Sequence, residues 1–456
     1  MPDLHLLKGC ELHVHIGGCL YVEDLLELGK DIYEEVDWSL FVDAYTLAFG
    51  KRPDPIALFR EALSNDAAAL TRLRNHFVVG AADSGDFERF HAKFNLAICL
   101  SRHWRRVLQR EEEVIQRIIE HHRSEGLDYV EYRAMYMLGS ADPEGFLHFH
   151  RLNAQTIQEA SRNGFEARYI ISLPRRAPLE GYALVQRLLA ENPGLIPTIV
   201  GLDFCFFEEG YPPRTVQPLL ARLQQDNQQH PERALDVVYH VGEVYFDKSL
   251  ESAIRWCDEI AAMGISRLGH AIALGLDPTV AVARRPQAHE TEPASERLDQ
   301  ISYDLHHAEA LSHCGIAVDK TDLQREREDL QQLSLETTLQ RPYTTERLAE
   351  VRRRQDFVLE RLEGLGTVIE SCPTSNLRIG AVPHPSSHPL HRFLDSRVNL
   401  AISADDPGIF DSPLAAEIDW VLEHTDMDAA ALKQRLGDPR RFKLGSRPPL
   451  TETRET

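Results

Sequence analysis

The 456-residue sequence has fewer basic than acidic residues, and this imbalance argues against one class of partner. It contains 50 Lys and Arg against 71 Asp and Glu, which gives a formal net charge of −21. A general nucleic-acid binder needs a basic surface that displaces counterions from phosphates. The composition therefore argues against a nucleic-acid polymer as partner, although a local group of arginines can still bind a small anion.

Long hydrophobic runs are also lacking. No stretch approaches the roughly 18 consecutive apolar residues that a transmembrane helix requires. The first residues, Met1–His5, have neither the basic start nor the apolar run of a secretory signal. We therefore expect a cytoplasmic protein without a membrane span.

Cysteine is present, but it is never closely paired in the sequence. The seven cysteines are scattered, and none is spaced as Cys-x-x-Cys. This distribution is typical of reduced thiols and argues against both a disulfide framework and cysteine-bound metal.

The stretch Glu11–His15 is the most informative part of the chain. Side chains alternate along a strand, so His13 and His15 face one way while Leu12 and Val14 face the other. Two imidazoles at this spacing supply half of a metal site, and a pair of surface or core histidines is the plainer alternative.

Three further segments are interpreted as strands that end in His, Asp or Glu: Val237–Glu243, Arg267–His270 and Leu400–Asp406. Parallel strands that present polar groups at their carboxyl ends are typical of a β/α barrel with its site at that end. The sequence thus predicts the α/β class and one (β/α)8 barrel of the TIM type over residues 1–442.

Two helical insertions interrupt this predicted barrel. The first follows strand one, over about residues 22–124, and the second separates strands six and seven, over about residues 276–363, where a crossover needs only a dozen or so residues. The second insertion is either decorative or a lid, oligomer contact or partner-protein contact, because it projects from the rim that carries the site. A tail at 443–456, rich in Pro, Arg and Thr, is expected to be flexible.

Taken together, these segments resemble the adenosine deaminase family of metal-dependent aminohydrolases. The resemblance extends from the His-x-His strand to Ser403–Pro407, and its most specific part is Glu370–Asn376, followed by His388–Leu390. It implies a hydrolase that removes ammonia from an adenine. The absence of a Pro-Cys-x-x-Cys signature separates the chain from the deaminases with a His/Cys/Cys zinc site.

The resemblance also implies a zinc site. A bound zinc ion lowers the pKa of water toward neutrality, and three imidazoles with one carboxylate suit it. The expected ligands of one Zn²⁺ per chain are His13, His15, His240 and Asp405.

Catalytic roles follow from the same resemblance. Glu243 is expected to protonate ring N1, which requires a carboxyl group that stays protonated in a buried site. His270 is expected to orient the attacking water, and Asp405 is expected to be a catalytic residue beside it as well as a metal ligand. Asp406 is expected to bind purine N7.

Each of these residues also has a plainer interpretation. Taken singly, His240 and His270 fit interior histidines, and Glu243 and Asp406 fit helix N-caps. The Cys372–Asn376 piece is interpreted as a tight turn that shapes the rim. The plainer interpretations together require several coincidences in the right order.

Departures from the family pattern bear on the substrate. Gly17 stands where the family has an acid that meets the ribose 5′-hydroxyl, which leaves room for a phosphate, and with Gly18 it offers backbone N–H groups to an anion. Arg175 and Arg176, at the end of strand three, are the expected phosphate partners. Phe206 replaces a glycine whose backbone contacts purine N3, and an aromatic wall is expected there.

Three hypotheses about function remain open. The first is deamination of an adenine nucleoside or its 5′-monophosphate (adenosine, deoxyadenosine, AMP or dAMP), and the Gly17 argument favours the monophosphate. The second keeps the chemistry but acts on an N6-substituted adenine nucleotide, free adenine or another aminated heterocycle. The third is a non-catalytic barrel subunit of a larger, antiviral assembly, against which the retention of every expected ligand argues.

Overall fold

The computed structural model describes residues 4–64, 66–285, 289–379 and 382–445. Ten strands lie in this part of the chain, and eight of them run parallel in a single sheet. In chain order the strands are β1 (Cys10–His15), β2 (Tyr129–Met135), β3 (Glu166–Ser172), β4 (Ile199–Asp203), β5 (Asp236–Val241), β6 (Arg267–His270), β7 (His289–Pro293), β8 (Thr338–Pro342), β9 (Val368–Ser371) and β10 (Asn399–Ile402).

The parallel sheet follows the order β1-β2-β3-β4-β5-β6-β9-β10 and closes on itself. Its two ends meet where His15 N donates to Asp405 O at 3.0 Å and Asp405 N donates to His13 O at 2.9 Å. The predicted (β/α)8 barrel is therefore confirmed. Because all strands are parallel, their carboxyl ends meet on one rim, and the loops on that rim carry the site.

Helices fill the region between β1 and β2, where the first insertion was predicted. A short helix, α1 (His5–Lys8), precedes β1. The inserted helices are α2 (Val22–Gly29), α3 (Ser39–Phe49), α4 (Pro55–Ala62), α5 (Ala67–Phe77), α6 (Phe87–His103) and α7 (Glu111–Ser124). Their packed faces carry residues such as Phe41, Phe59, Leu73 and Leu96, each fully buried in the main core.

The middle of the chain alternates strands with crossover helices: α8 (Pro143–Ala160), α9 (Pro178–Glu191), α10 (Gln217–Gln229) and α11 (Leu250–Ala262). After β9 the remaining helices are α17 (Pro373–Arg378), α18 (Leu390–Asp395), α19 (Pro407–Phe410), α20 (Leu414–His424) and α21 (Ala429–Leu436). Within the described part of the chain, no helix is both long enough and apolar enough for a membrane crossing.

The second insertion lies between β6 and β9, as predicted, but it is not purely helical. Its helices are α12 (Pro278–Ala283), α13 (Ala294–His306), α14 (Ala308–His313), α15 (Lys320–Leu330) and α16 (Thr345–Leu365). The insertion also contains β7 and β8, which are separated by α13, α14 and α15 and pair as an antiparallel two-stranded sheet. The buried face of β7 carries Glu290 and Glu292, each 2% exposed.

The predicted flexible tail is wrong at its first residues. Leu444 is buried against Ile170, Val200 and Val238, and its backbone N–H donates to Glu131 Oε1 at 2.9 Å. This segment covers the barrel at the end opposite the site. The rest of the predicted tail, 446–456, lies outside the described residues.

Candidate metal and catalytic site

The four predicted metal ligands converge at the carboxyl ends of β1, β5 and β10. His240 Nε2 lies 3.0 Å from His13 Nε2 and 3.2 Å from His15 Nε2. Asp405 Oδ1 lies 3.5 Å from His13 Nε2 and 3.4 Å from His15 Nε2. A tetrahedral zinc ion with bonds of about 2.0–2.1 Å separates its ligand atoms by about 3.3 Å. Four of the six distances between the ligand atoms are close to this value, so the side chains fit a zinc site.

Strand β1 reaches this arrangement through an irregular register. Glu11 pairs with Val130 and Val14 pairs with Tyr132, so β1 has one residue more than β2 between these positions. Such bulges redirect side chains beside active sites.

Buried carboxylates fix the orientation of two of the imidazoles. His13 Nδ1 donates to Glu370 Oε2 at 2.8 Å, and His240 Nδ1 donates to Asp203 Oδ1 at 3.0 Å. Each bond leaves the Nε2 lone pair directed at the convergence point, as metal-binding histidines require. Burial also lowers the pKa of His15 to about 4, so this imidazole is neutral and able to bind a cation.

Glu370 is itself held by two arginines that lie inside the barrel. Arg133 Nη2 is 2.6 Å from Glu370 Oε2, and Arg267 Nε is 2.7 Å from Glu370 Oε1, with all three side chains fully buried. Burial alone opposes ionisation, but the two guanidinium groups lower the pKa of Glu370 below its usual range. It therefore remains an anion that accepts the proton of His13.

The predicted acid and the predicted water-orienting histidine lie next to each other. His270 Nε2 is 3.5 Å from Glu243 Oε1 and 3.8 Å from Asp405 Oδ2. Burial raises the pKa of Glu243 above its usual value, and the nearby Asp405 carboxylate adds to that effect. The site thus favours the protonated acid that ring protonation needs.

Sequence reasoning missed two positioning residues, both within Cys372–Asn376, which was interpreted as a rim turn. Asn376 Oδ1 accepts a hydrogen bond from His270 Nδ1 at 2.8 Å, so the lone pair of His270 is on Nε2. Ser375 Oγ donates to Asp405 Oδ2 at 2.6 Å. This segment begins helix α17 next to the site. The sequence signal that could have identified both residues was the Glu370–Asn376 motif itself.

Asp406, which was predicted to contact purine N7, directly follows the predicted ligand Asp405. Its carboxyl group is buried, and Oδ1 has no hydrogen-bond partner among the described residues. Burial, together with the Asp405 and Glu243 carboxylates, raises the pKa of Asp406 well above its usual value. A neutral carboxyl group can donate a hydrogen bond to a ring nitrogen.

The predicted phosphate contacts are not supported at Gly17, Gly18 and Arg175. A Cβ on Gly17 would lie 3.1 Å from the Phe94 ring, so apolar side chains fill this space. A Cβ on Gly18 would lie 1.8 Å from Asp406 Oδ1, so this glycine makes room for a carboxyl group rather than for an anion.

Arg175 turns inward instead of toward the rim. Its Nη2 donates to Phe204 O at 2.8 Å and to His240 O at 2.7 Å, and its guanidinium lies over the Tyr239 ring. Through these hydrogen bonds, Arg175 links the carboxyl end of β4 to that of β5. Arg176 is exposed after β3.

Phe206, expected to form an aromatic wall, lies in a cluster of aromatic rings. Its ring lies 5.1 Å from His91 and 4.6 Å from Phe207, centroid to centroid. Phe206 has φ of 70°, the left-handed conformation that a glycine adopts most easily. The backbone shape expected of a glycine is therefore kept at this position, although the residue is Phe.

Backbone strain is concentrated at the same rim. Besides Phe206, the residues His270, Ala271 and Asp405 have φ of 65°, 48° and 65°. Non-glycine residues in this region each cost of the order of 1 kcal/mol, and they cluster at functional sites.

Comparisons with known proteins agree with this geometry. The model of the adenosine deaminase family matches residues 344–436, which include β9, β10 and the ligand Asp405. An adenine deaminase of Rhizobium leguminosarum bv. trifolii is 44% identical over 66 residues, which are 14% of this chain and 20% of that protein. The part of the chain that carries Asp405 is therefore similar to the adenosine deaminase family. An adenosine deaminase of Shewanella denitrificans is 41% identical over 66 residues, also 14% and 20% of the two chains.

The matched segment therefore spans about a fifth of the length of these adenosine deaminase family relatives. Solved structures extend the likeness along the chain. An amidohydrolase from Burkholderia ambifaria with bound Zn has a TM-score of 0.53 at 14% identity, over 97% of this chain and 86% of that one. An Arabidopsis ADAL complexed with IMP has a TM-score of 0.53 at 14% identity, over 97% and 94%. These likenesses establish the fold.

Proposed function

We propose that the chain is a zinc-dependent hydrolytic deaminase of the adenine ring. One observation carries this proposal: His240 Nε2 and Asp405 Oδ1 each lie 3.0–3.5 Å from the Nε2 atoms of both His13 and His15, beside the Glu243–His270 pair. Packing of interior histidines does not by itself require three imidazole lone pairs and a carboxylate to converge on one point, whereas metal binding does.

Each residue contributes one part of the reaction. The four ligands would hold a zinc ion, which would lower the pKa of a water molecule in the site. His270 Nε2 accepts the proton of the attacking water, while Glu243 donates a proton to ring N1 as the water oxygen adds to C6. His270 then returns its proton to the amino group at C6, the C6–N bond breaks as ammonia leaves, and the hydroxyl proton at C6 passes to Glu243 as the carbonyl group forms. Asp406 holds the ring by donating to N7.

We propose that the substrate carries no phosphate. It is adenine or an adenine nucleoside rather than the 5′-monophosphate of the nucleoside. Phe94 fills the space beside Gly17, Arg175 is engaged with backbone carbonyls, and Gly18 adjoins Asp406. A phosphate dianion placed there would lie against apolar side chains and near a carboxyl group. The matched relatives named adenine deaminase support the same substrate class.

A substrate panel tests both parts of this proposal. The zinc-loaded protein is incubated with adenine, adenosine, deoxyadenosine, AMP, dAMP and N6-methyl-AMP, and ammonia release is measured. The His240→Ala protein is the control for background ammonia release. We expect turnover of adenine or the nucleosides that exceeds turnover of the monophosphates by at least about tenfold in kcat/KM. A preference for AMP or dAMP would overturn the substrate class, and no ammonia from any compound would overturn the deaminase assignment.

A further inference from the structure

The loop that carries Glu243 is held from two sides. This acid loop, residues 242–249, joins β5 to α11. On one side Glu208 accepts backbone N–H bonds from Gly242, Glu243 and Val244 at 3.0, 2.9 and 2.9 Å. Three donors on one carboxylate fix the peptide groups that flank the acid.

On the other side, the acid loop is bound by a residue of the second insertion. Arg285 Nη1 donates to Lys248 O at 2.8 Å, and its Nη2 donates to Tyr245 O at 3.1 Å. The side chain is 4% exposed. A buried guanidinium is stable only when its N–H groups are paired, so these carbonyls bind it firmly.

Arg285 is in turn anchored within the insertion. Its Nη1 lies 3.3 Å from Glu290 Oε1 on β7, and the same oxygen accepts the first N–H of α11, from Leu250, at 2.8 Å. Arg347 of α16 pairs with Glu290 as well. Glu290 on β7 therefore fixes both the end of the acid loop, through Arg285, and the helix that follows it.

We propose that the second insertion is a positioning element for the catalytic acid, and that Arg285 is the residue through which it acts. Gly242, at φ of 66°, turns the chain from β5 into the loop, and the loop itself has no regular secondary structure. Ala273 N donates to Gly242 O at 2.9 Å and Gly210 N donates to Asp247 Oδ2 at 3.0 Å. Glu208 and Arg285 each make two or more further hydrogen bonds to the loop backbone. This inference rests on the proposed role of Glu243 and goes beyond it, because it assigns a function to the insertion.

The test compares Arg285→Ala with Arg297→Ala, a matched control within the insertion. Arg297 makes two bonds of 2.7 Å to Glu326, linking α13 to α15. We expect Arg285→Ala to lower kcat for adenine or adenosine by about 10- to 100-fold with little change in KM, because the acid is misplaced. Zinc content should be unchanged, Arg285→Lys should restore part of the rate, and Arg297→Ala should retain the wild-type kcat.

Two further measurements separate positioning from general destabilisation. If Arg285 acts through the acid, then Arg285→Ala should change the rate by less than about twofold in a Glu243→Gln background, because the two effects are not additive. Full additivity, or an equal loss of rate in Arg297→Ala, would overturn the proposal.

Amide hydrogen exchange of the zinc-loaded protein supplies a readout that needs no substrate. Arg285→Ala should speed exchange in peptides covering 242–249 by about tenfold, while Arg297→Ala leaves them unchanged. Unchanged exchange in Arg285→Ala would refute the positioning role of Arg285, whatever the substrate panel shows. Faster exchange in a protein without any deaminase activity would support the contact between Arg285 and the acid loop and would refute only the proposed function.

Discussion

Asn376 Oδ1 accepts the Nδ1 proton of His270 over 2.8 Å, and this bond decides which nitrogen of the imidazole faces the reacting groups. With the proton on Nδ1, the lone pair is on Nε2, which lies 3.5 Å from Glu243 Oε1. The side chains of Asn376 and His270 are both buried, so water does not compete for the hydrogen bond between them. Asn376 thus acts through His270 rather than on the substrate.

Replacing Asn376 with Ala should therefore slow the reaction without removing the metal. We expect kcat to fall by about 10- to 100-fold with KM and zinc content little changed, as for other residues that orient a catalytic histidine. Asn376→Asp keeps an acceptor oxygen and should recover part of the rate. Asn153→Ala is the control, because Asn153 is equally buried but donates to Phe149 O on α8. A wild-type rate in Asn376→Ala would show that the tautomer of His270 is set in another way.

The metal assignment predicts that His240→Ala loses both zinc and activity. His240 contacts two other ligand imidazoles, and its removal leaves three of the four ligands. His150→Ala is a matched control, since His150 is fully buried and bonded to Tyr169 OH away from the barrel rim. Metal analysis of both purified variants is the measurement. Stoichiometric zinc in His240→Ala would contradict the proposed ligand set.

The ligands and catalytic residues could be predicted because strand geometry restricts where they lie. Polar residues at the carboxyl ends of parallel strands share one rim, so His13, His240, His270 and Asp405 had to be neighbours once the barrel was predicted. The sequence order of these residues carries that information. The direction of a side chain beyond a strand end does not follow in the same way.

Arg175 illustrates this limit. Its position after β3 places it at the rim, but whether its guanidinium points outward or back to Phe204 O depends on carbonyls of other strands. The two-stranded β7–β8 sheet was missed for a different reason. Its buried face carries Glu290 and Glu292, paired with arginines such as Arg341, so the apolar alternation typical of strands is absent.

Glu243→Gln separates proton donation from folding. The amide keeps the size of the side chain but cannot deliver the proton to ring N1. We expect this variant to fold, to bind zinc and to lose about two to four orders of magnitude in kcat. Glu111→Gln changes another buried carboxyl group, on α7, and should retain the rate. Near-normal turnover in Glu243→Gln would mean that a different group is the acid.

Asp406 should recognise N7, and a substrate lacking that atom gives the sharpest test. The buried Oδ1 has no partner among the described residues, and its raised pKa makes the carboxyl group a donor. Losing one such bond costs about 1 kcal/mol or more, so 7-deazaadenosine should react at least about fivefold more slowly than adenosine in the wild type.

In Asp406→Ala the two substrates should react at equal rates, both slower than adenosine in the wild type. Asp406→Asn retains an N–H donor and should keep most of the preference for adenosine. Zinc content should be the same in all three proteins, because Asp406 is not a ligand. If Asp406→Ala still preferred adenosine over its 7-deaza analogue, the N7 contact would belong to another residue, and the orientation proposed for the purine ring would be wrong.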